Sequence, residues 1–156
     1  MIKINLITIG DIKEEYLRQA IQEYSKRISR FADLKIVELK ENNPKSVSSK
    51  DIESALEKDA VNIEKHLKGY AICLDINSPQ LSSEQFAEKI KNLALKTSEI
   101  SFVIGASNGI AERIKQHCNE KLSFSKMTFP HQLMRVIFLE QLYRAFTINN
   151  NIAYHK

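Results

Sequence analysis

Residues Pro130 to Asn149 (PHQLMRVIFLEQLYRAFTIN) narrow most what this chain can fold into. Pro130 suits a first helical turn, because its fixed φ is helical and its missing N–H would be unpaired there anyway. The run Asn149-Asn150-Asn151 closes the helix, since asparagine side chains bond nearby backbone and favour turns. Inside it, apolar residues fall on more than one side: Leu133, Ile137 and Tyr143 on one, Met134, Phe138, Leu142 and Phe146 on another, with Val136 and Leu139 between. An ordinary surface helix carries one apolar stripe, about a third of the circumference. This one needs covering twice, either by its own sheet and a second protein surface or by burial in the middle of a monomer. A chain this short rarely encloses a helix completely. Its polar exceptions, Arg135, Glu140, Gln141 and Arg144, are expected in a site or interface, and Glu140 and Arg144 have the order that favours an i, i+4 ion pair. A short tail, Ile152 to Lys156, follows.

At 156 residues the chain reads as a single domain, 1–156, with enough length for a real core and too little for two. A charged fraction of 27% and a hydrophobic fraction of 43% argue against disorder and against membrane insertion. Apolar runs are only a handful of residues, far below the roughly 20 of a spanning helix. Met1 leads straight into a strand pattern with no leader-like segment, so the expectation is a cytoplasmic protein without a membrane partner. Cys73 and Cys118 belong to no ligand spacing and are expected as reduced thiols. His66, His117, His131 and His155 form no paired-ligand pattern, so no metal site is expected. An excess of 23 Lys and Arg over 19 Asp and Glu permits an anionic partner such as RNA without demanding one.

Taken in order, Ile2 to Thr8 alternates as a strand and ends at Gly10-Asp11. Ile12 to Ile28 has helical periodicity, with Ile12, Tyr16, Leu17, Ala20, Ile21, Tyr24 and Ile28 inward and a basic outer face. Leu34 to Leu39 is a second strand, and Lys40 to Lys50, polar and aperiodic around Pro44, a loop. A helix from Asp51 to Leu67 ends before Gly69, the apolar run Tyr70 to Ile76 is a strand covered on both faces, and Ser82 with Gln85 makes a capping box for a helix to Leu95. Ser101 to Ile104 gives another strand, Gly105 to Gly109 a turn, Ile110 to His117 a helix, and Glu120 to Phe129 an irregular stretch. Strands alternating with helices predict an α/β domain with a mostly parallel sheet.

Ligands of such sheets lie beyond the carboxyl ends of the strands. Three loops meet that description: Leu74-Asp75, the Gly105 to Gly109 turn, and Leu122 to Phe129. The glycine turn is not a GxGxxG and alone carries little. In the third loop Leu122, Phe124, Met127 and Phe129 interleave with Ser123, Ser125 and Thr128, which suits an apolar slot with a few hydrogen bonds, or else a final edge strand.

The string LSFSKMTFPHQLMRVIFLEQLYRAF with the ending YHK resembles the signature of the bacterial ribosomal RNA large subunit methyltransferase H family, and the strand ends LDI and FVIGASNG fall where that family has its own. The resemblance covers nearly the whole chain. It implies the trefoil-knotted α/β fold of the SPOUT methyltransferases, a homodimer, and S-adenosylmethionine as methyl donor. Implied too is N3-methylation of a pseudouridine in the helix 69 loop of 23S rRNA on the assembled 70S ribosome. The matching cofactor positions are Leu74, Gly105, Phe124, Ser125, Lys126, Met127, Thr128 and Phe129. The family commonly has a second glycine after Gly105, where this chain has Ala106.

By the same resemblance Arg144 would stabilise negative charge developing on the base, with His155 as proton acceptor or hydrogen-bond partner. Tyr154 offers an aromatic platform for a base and Lys156 a cation for phosphate. The competing reading is a non-catalytic ribosome- or RNA-binding dimer, which binding of S-adenosylmethionine would separate from an enzyme.

Overall fold

The computed structural model describes residues 1–156. Five strands, β1 (Ile2–Ile9), β2 (Ala32–Leu39), β3 (Tyr70–Leu74), β4 (Glu99–Ile104) and β5 (Glu120–Leu122), alternate with five helices, α1 (Glu15–Ile28), α2 (Ser49–Glu64), α3 (Ser83–Ala94), α4 (Glu112–His117) and α5 (His131–Asn149). The strands form one sheet in the order β2-β1-β4-β3-β5, and every pairing is parallel. The predicted α/β class is thus the observed one. No helix is long and apolar enough to cross a membrane.

Both faces of the sheet are covered, which is why its inner strands are apolar nearly throughout. Ile4 and Leu6 of β1 join the layer under α1, α3 and α5, while Ile7 and Ile9 join the layer under α2 and α4. Helix α5 lies on the sheet between α1 and α3. Its Phe138 ring packs 4.7 Å from that of Phe102, and Phe146 stacks on Phe31 at 5.7 Å. Burial of each such ring contributes about 1.5–3 kcal/mol. The helix is therefore held on three sides by its own chain. An outer arc remains, with Leu133 exposed and Val136, Ile137 and Tyr143 half-buried.

Arg135 departs from expectation. Its side chain is only 1% exposed, and Nη2 donates to the carbonyls of Ile9 at 2.9 Å and Gly10 at 2.8 Å. It lies in neither a site nor an interface: it holds the end of β1 against α5, with Glu38 as a more distant partner at 3.5 Å.

Several boundaries also differ from the sequence pattern. Helix α1 starts at Glu15 rather than Ile12, and Tyr16, expected inward, is 68% exposed. Helix α2 runs from Ser49 to Glu64, not Asp51 to Leu67, because the Ser48 side chain caps Asp51 N. β3 stops at Leu74, where Asp75 turns the chain by accepting from Asn77 N and the Ser78 hydroxyl. Glu120–Leu122, taken as irregular, forms the short edge strand β5 against Ile72–Leu74, closer to the alternative reading of that stretch. The capping box on α3 is present, with Gln85 N donating to Ser82 Oγ at 3.1 Å and Ser82 N to Gln85 Oε1 at 2.8 Å.

Candidate functional site

The carboxyl ends of β4, β3 and β5 are neighbours in the sheet, so the loops that leave them gather at one place. With the start of α5 they enclose an open cleft of about 190 Å³. Leu74, Gly105, Phe124, Ser125, Met127, Thr128 and Phe129 all line it. Lys126 is outside the lining, and its side chain is exposed.

The turn after β4 explains Gly105. Gly109 N donates to Ala106 O at 2.9 Å, folding the turn back over the strand end. A Cβ on Gly105 would lie 2.5 Å from Gly109 O and 2.7 Å from its carbonyl carbon, and backbone atoms cannot rotate aside. Only glycine lets the turn close this tightly. Positive φ occurs at Gly109 (+82°) and not at residue 106, so Ala106 is unstrained.

The loop after β5 is shaped from within. Ser123 N donates to Pro79 O at 2.9 Å, the Ser123 hydroxyl to Ser125 O at 3.0 Å, and Met127 N to Ser125 Oγ at 2.9 Å. Phe124 sets its ring edge-on to Phe86 at 5.6 Å and close to Phe138 at 5.9 Å, which ties the loop to the core. Met127, by contrast, is 75% exposed at the cleft mouth.

Four lining residues had no motif to announce them: Asp75 with Lys115, 3.7 Å apart, and His131 with Met134 on the first turn of α5. Of these only Asp75 had been placed near a site, in the Leu74-Asp75 loop. Burial foremost, and then the charge of Arg135, lowers the His131 pKa against a smaller opposing effect of Glu41. His131 is therefore neutral at pH 7, which spares a cationic ligand its repulsion. The walls are largely apolar, with Asp75 and Lys115 as a charged pair at one side, the make-up of a small-molecule cleft.

A second cleft, of about 250 Å³, lies between α3 and α5 and shares Phe124 and Phe129 with the first.

Farther along α5 the tail is docked rather than frayed. Glu140 Oε1 accepts from Arg144 Nε at 3.0 Å, from Arg144 Nη2 at 2.5 Å and from the Tyr154 hydroxyl at 3.1 Å. The Arg144 guanidinium lies over the Tyr154 ring at 4.8 Å, and that ring meets Tyr143 edge-on at 4.8 Å. Arg144 Nη1 stands 3.0 Å from His155 Nδ1, and His155 Nε2 2.7 Å from Glu84 Oε1. Since arginine only donates, Nδ1 must accept, and the imidazole proton sits on Nε2, donated to Glu84. That bond is the first cause of the lowered Glu84 pKa. Lys156 is exposed. Arg144, Tyr154 and His155 are thus brought together, but away from the first cleft: Arg144 is ten residues beyond Met134, about 15 Å along a helix.

Cys73 and Cys118 are free and buried. Cys73 Sγ approaches Ile114 O at 3.8 Å, and Cys118 N donates to the same carbonyl at 2.9 Å. Hydrogen bonding with Cys118, then burial, pushes the Cys73 thiol far up, while the same bond lowers Cys118. No three His, Cys, Asp or Glu side chains cluster as metal ligands would.

Residues 2–155 match the family model described as "Predicted SPOUT methyltransferase". A protein of Clostridium novyi named ribosomal RNA large subunit methyltransferase H is 51% identical over 157 residues, covering 98% of this chain and 99% of its own. Its namesake from Caldicellulosiruptor saccharolyticus is 47% identical over 155 residues, with the same coverage of 98% and 99%. Among solved structures, "a probable methylase family protein" from Haemophilus influenzae Rd KW20 superposes with a TM-score of 0.55 at 18% identity, over 98% of this chain and 70% of that one. That last likeness concerns the fold alone.

Proposed function

The chain belongs to the SPOUT methyltransferases, within them to the ribosomal RNA large subunit methyltransferase H family, and from that premise we propose that residues 1–156 act as one rRNA methyltransferase domain. Its donor is S-adenosylmethionine, and its product N3-methylpseudouridine in the helix 69 loop of 23S rRNA on the cytoplasmic 70S ribosome. One observation carries the reading: seven of the eight positions expected to hold the donor line a single cleft at the carboxyl ends of three adjacent strands. The trefoil knot belongs to the same proposal, supported by the return of the chain from the sheet edge at β5 to the end of β1, where Arg135 bonds Ile9 and Gly10.

When bound, S-adenosylmethionine supplies a methyl group already activated on a sulfonium, so the protein needs no covalent step. Leu74, Gly105 and the loop residues Phe124, Ser125, Met127, Thr128 and Phe129 would hold it, with Lys126 on the exposed outer side of the same loop. His131 would add no positive charge of its own there, and Asp75 offsets that of Lys115. Arg144 stabilises the anionic imide that forms as N3 loses its proton. His155 accepts from Arg144 in the resting arrangement, so it takes up the N3 proton only as Arg144 lets go and turns to the base. Tyr154 and Lys156 meet the RNA by stacking and by charge.

The outer arc of α5, with Leu133, Val136 and Tyr143, is the surface on which two copies form a homodimer. The deciding experiment is methyl transfer from labelled S-adenosylmethionine to whole ribosomes, to separated subunits and to ribosomes lacking pseudouridine. We expect N3-methylpseudouridine in 23S rRNA from whole ribosomes only. Absence of label there, or of donor binding at millimolar ligand, sinks the enzyme reading in favour of a ribosome-binding dimer.

A further inference from the structure

We propose that the second cleft, between α3 and α5, holds the target pyrimidine, and that Gln141 reads one C=O/N–H edge of that base. This rests on the pseudouridine N3-methyltransferase reading and adds to it the place of the base and the residue that selects it. The two clefts share Phe124 and Phe129, so a ring in the second abuts a ligand in the first. Met134 lines the first cleft and Ile137 and Gln141 the second, and Arg144, which lines neither, comes three residues after Gln141, the spacing of neighbours on one helix face. A base in the second cleft therefore lies between the donor and the guanidinium that would stabilise its charge. Its walls, Phe86, Phe124, Phe129 and Ile137, are those a flat ring stacks on.

The carboxamide of Gln141 is oriented by its neighbours. Ser83 Oγ donates to its Oε1 at 2.8 Å, and its Nε2 donates to Glu140 Oε2 at 2.8 Å. Turned over, the amide would set its oxygen against the Glu140 carboxylate, two acceptors face to face. Once these bonds are counted, the amide keeps one lone pair on Oε1 and one N–H on Nε2. An adjacent N–H and C=O on a pyrimidine complement that pair. In uridine every such pair uses N3, the atom to be methylated. Pseudouridine also offers N1–H beside C2=O, and pairing there leaves N3 open. Gln141 thus favours pseudouridine over uridine.

The test compares methyl transfer to 70S ribosomes carrying pseudouridine or uridine at the target position. Wild type is expected to prefer pseudouridine. Gln141→Met and Gln141→Glu, which remove the N–H, are expected to cut that preference by roughly 5- to 150-fold, the range of one bidentate amide–base pair. Donor affinity, read by calorimetry, should not move. Ser83→Ala, which only loosens the amide, shifts the ratio the same way by a few fold. Variants that discriminate as wild type does overturn the role of Gln141 alone. A wild type that methylates neither ribosome overturns the functional reading, and this assignment with it.

Discussion

Each end of α5 carries an arginine, and the two are held by different kinds of partner. Arg135 gives its hydrogen bonds to main-chain carbonyls at the end of β1 and is buried. Arg144 gives its own to side chains, Glu140 and His155, and remains partly exposed. A guanidinium bonded to buried backbone cannot leave without stranding carbonyls that have no water to turn to. One bonded to side chains that keep some contact with water can exchange partners at a smaller cost. The first arrangement makes a strut at the start of α5, beside the first cleft; the second leaves the mobility that the proposed role of Arg144 requires.

The largest expected effect breaks the strut. Arg135→Met strands two carbonyls at about 1–3 kcal/mol each, so urea unfolding should report a loss of roughly 2–6 kcal/mol. A loss under about 1 kcal/mol would erase the contrast between the two arginines. Arg144→Ala should do the reverse, costing less than about 1 kcal/mol of stability. Its turnover on ribosomes should fall by roughly 10²–10³, as when one preorganised donor to a developing anion is removed. Donor affinity should hold. Turnover within threefold of wild type would withdraw Arg144 from the chemistry.

A smaller effect sharpens the upper end. Gly105→Ala drives a Cβ into the Gly109 carbonyl, an overpacking of about 1–3 kcal/mol relieved only by moving the turn. The dissociation constant of S-adenosylmethionine should rise about tenfold, while the Arg144 cluster stays as it is. Ala106→Gly, at a position without positive φ, should leave binding unchanged.

How much of this was legible follows the same division. Strand and helix periodicity yielded the α/β class, and the capping box at Ser82 fixed the start of α3, because those signals are local. The resemblance marked seven of the residues that line the first cleft, and the three strand ends that gather them are adjacent only through the order β4-β3-β5, which no local pattern states. Arg135 and Arg144 look alike in sequence, two cations on an apolar helix. What separates them is Ile9 and Gly10, from the far end of the chain, at one end, and Glu140 one turn back with His155 of the tail at the other. Lys115 and His131 reach the cleft by the same long-range route. Tyr16 failed on the helix face itself: it lies inside α1, but the buried stripe runs through Leu17 and Ile28 and leaves Tyr16 exposed.

The smallest effect concerns how firmly the tail is docked. Burial first, then the bond to Glu140, pushes the Tyr154 phenol up to about 12 from an ordinary 10.0. A phenol is neutral when protonated, so the folded state favours the protonated form. That contribution is complete below pH 10, the unfolded value, and is lost as pH rises through about 12. Phenolate absorbance should therefore show one of the five tyrosines ionising last, near pH 12, and Tyr154→Phe should remove that step. The phenylalanine variant keeps the ring beneath Arg144 and beside Tyr143, so ribosome methylation near neutral pH should drop only a few fold. If wild type and Tyr154→Phe titrate alike, the phenol is not bonded to Glu140 in solution. Arg144 would then be held at the tail end by Glu140 and His155 alone, and the tail would be looser than the contrast with the Arg135 strut requires.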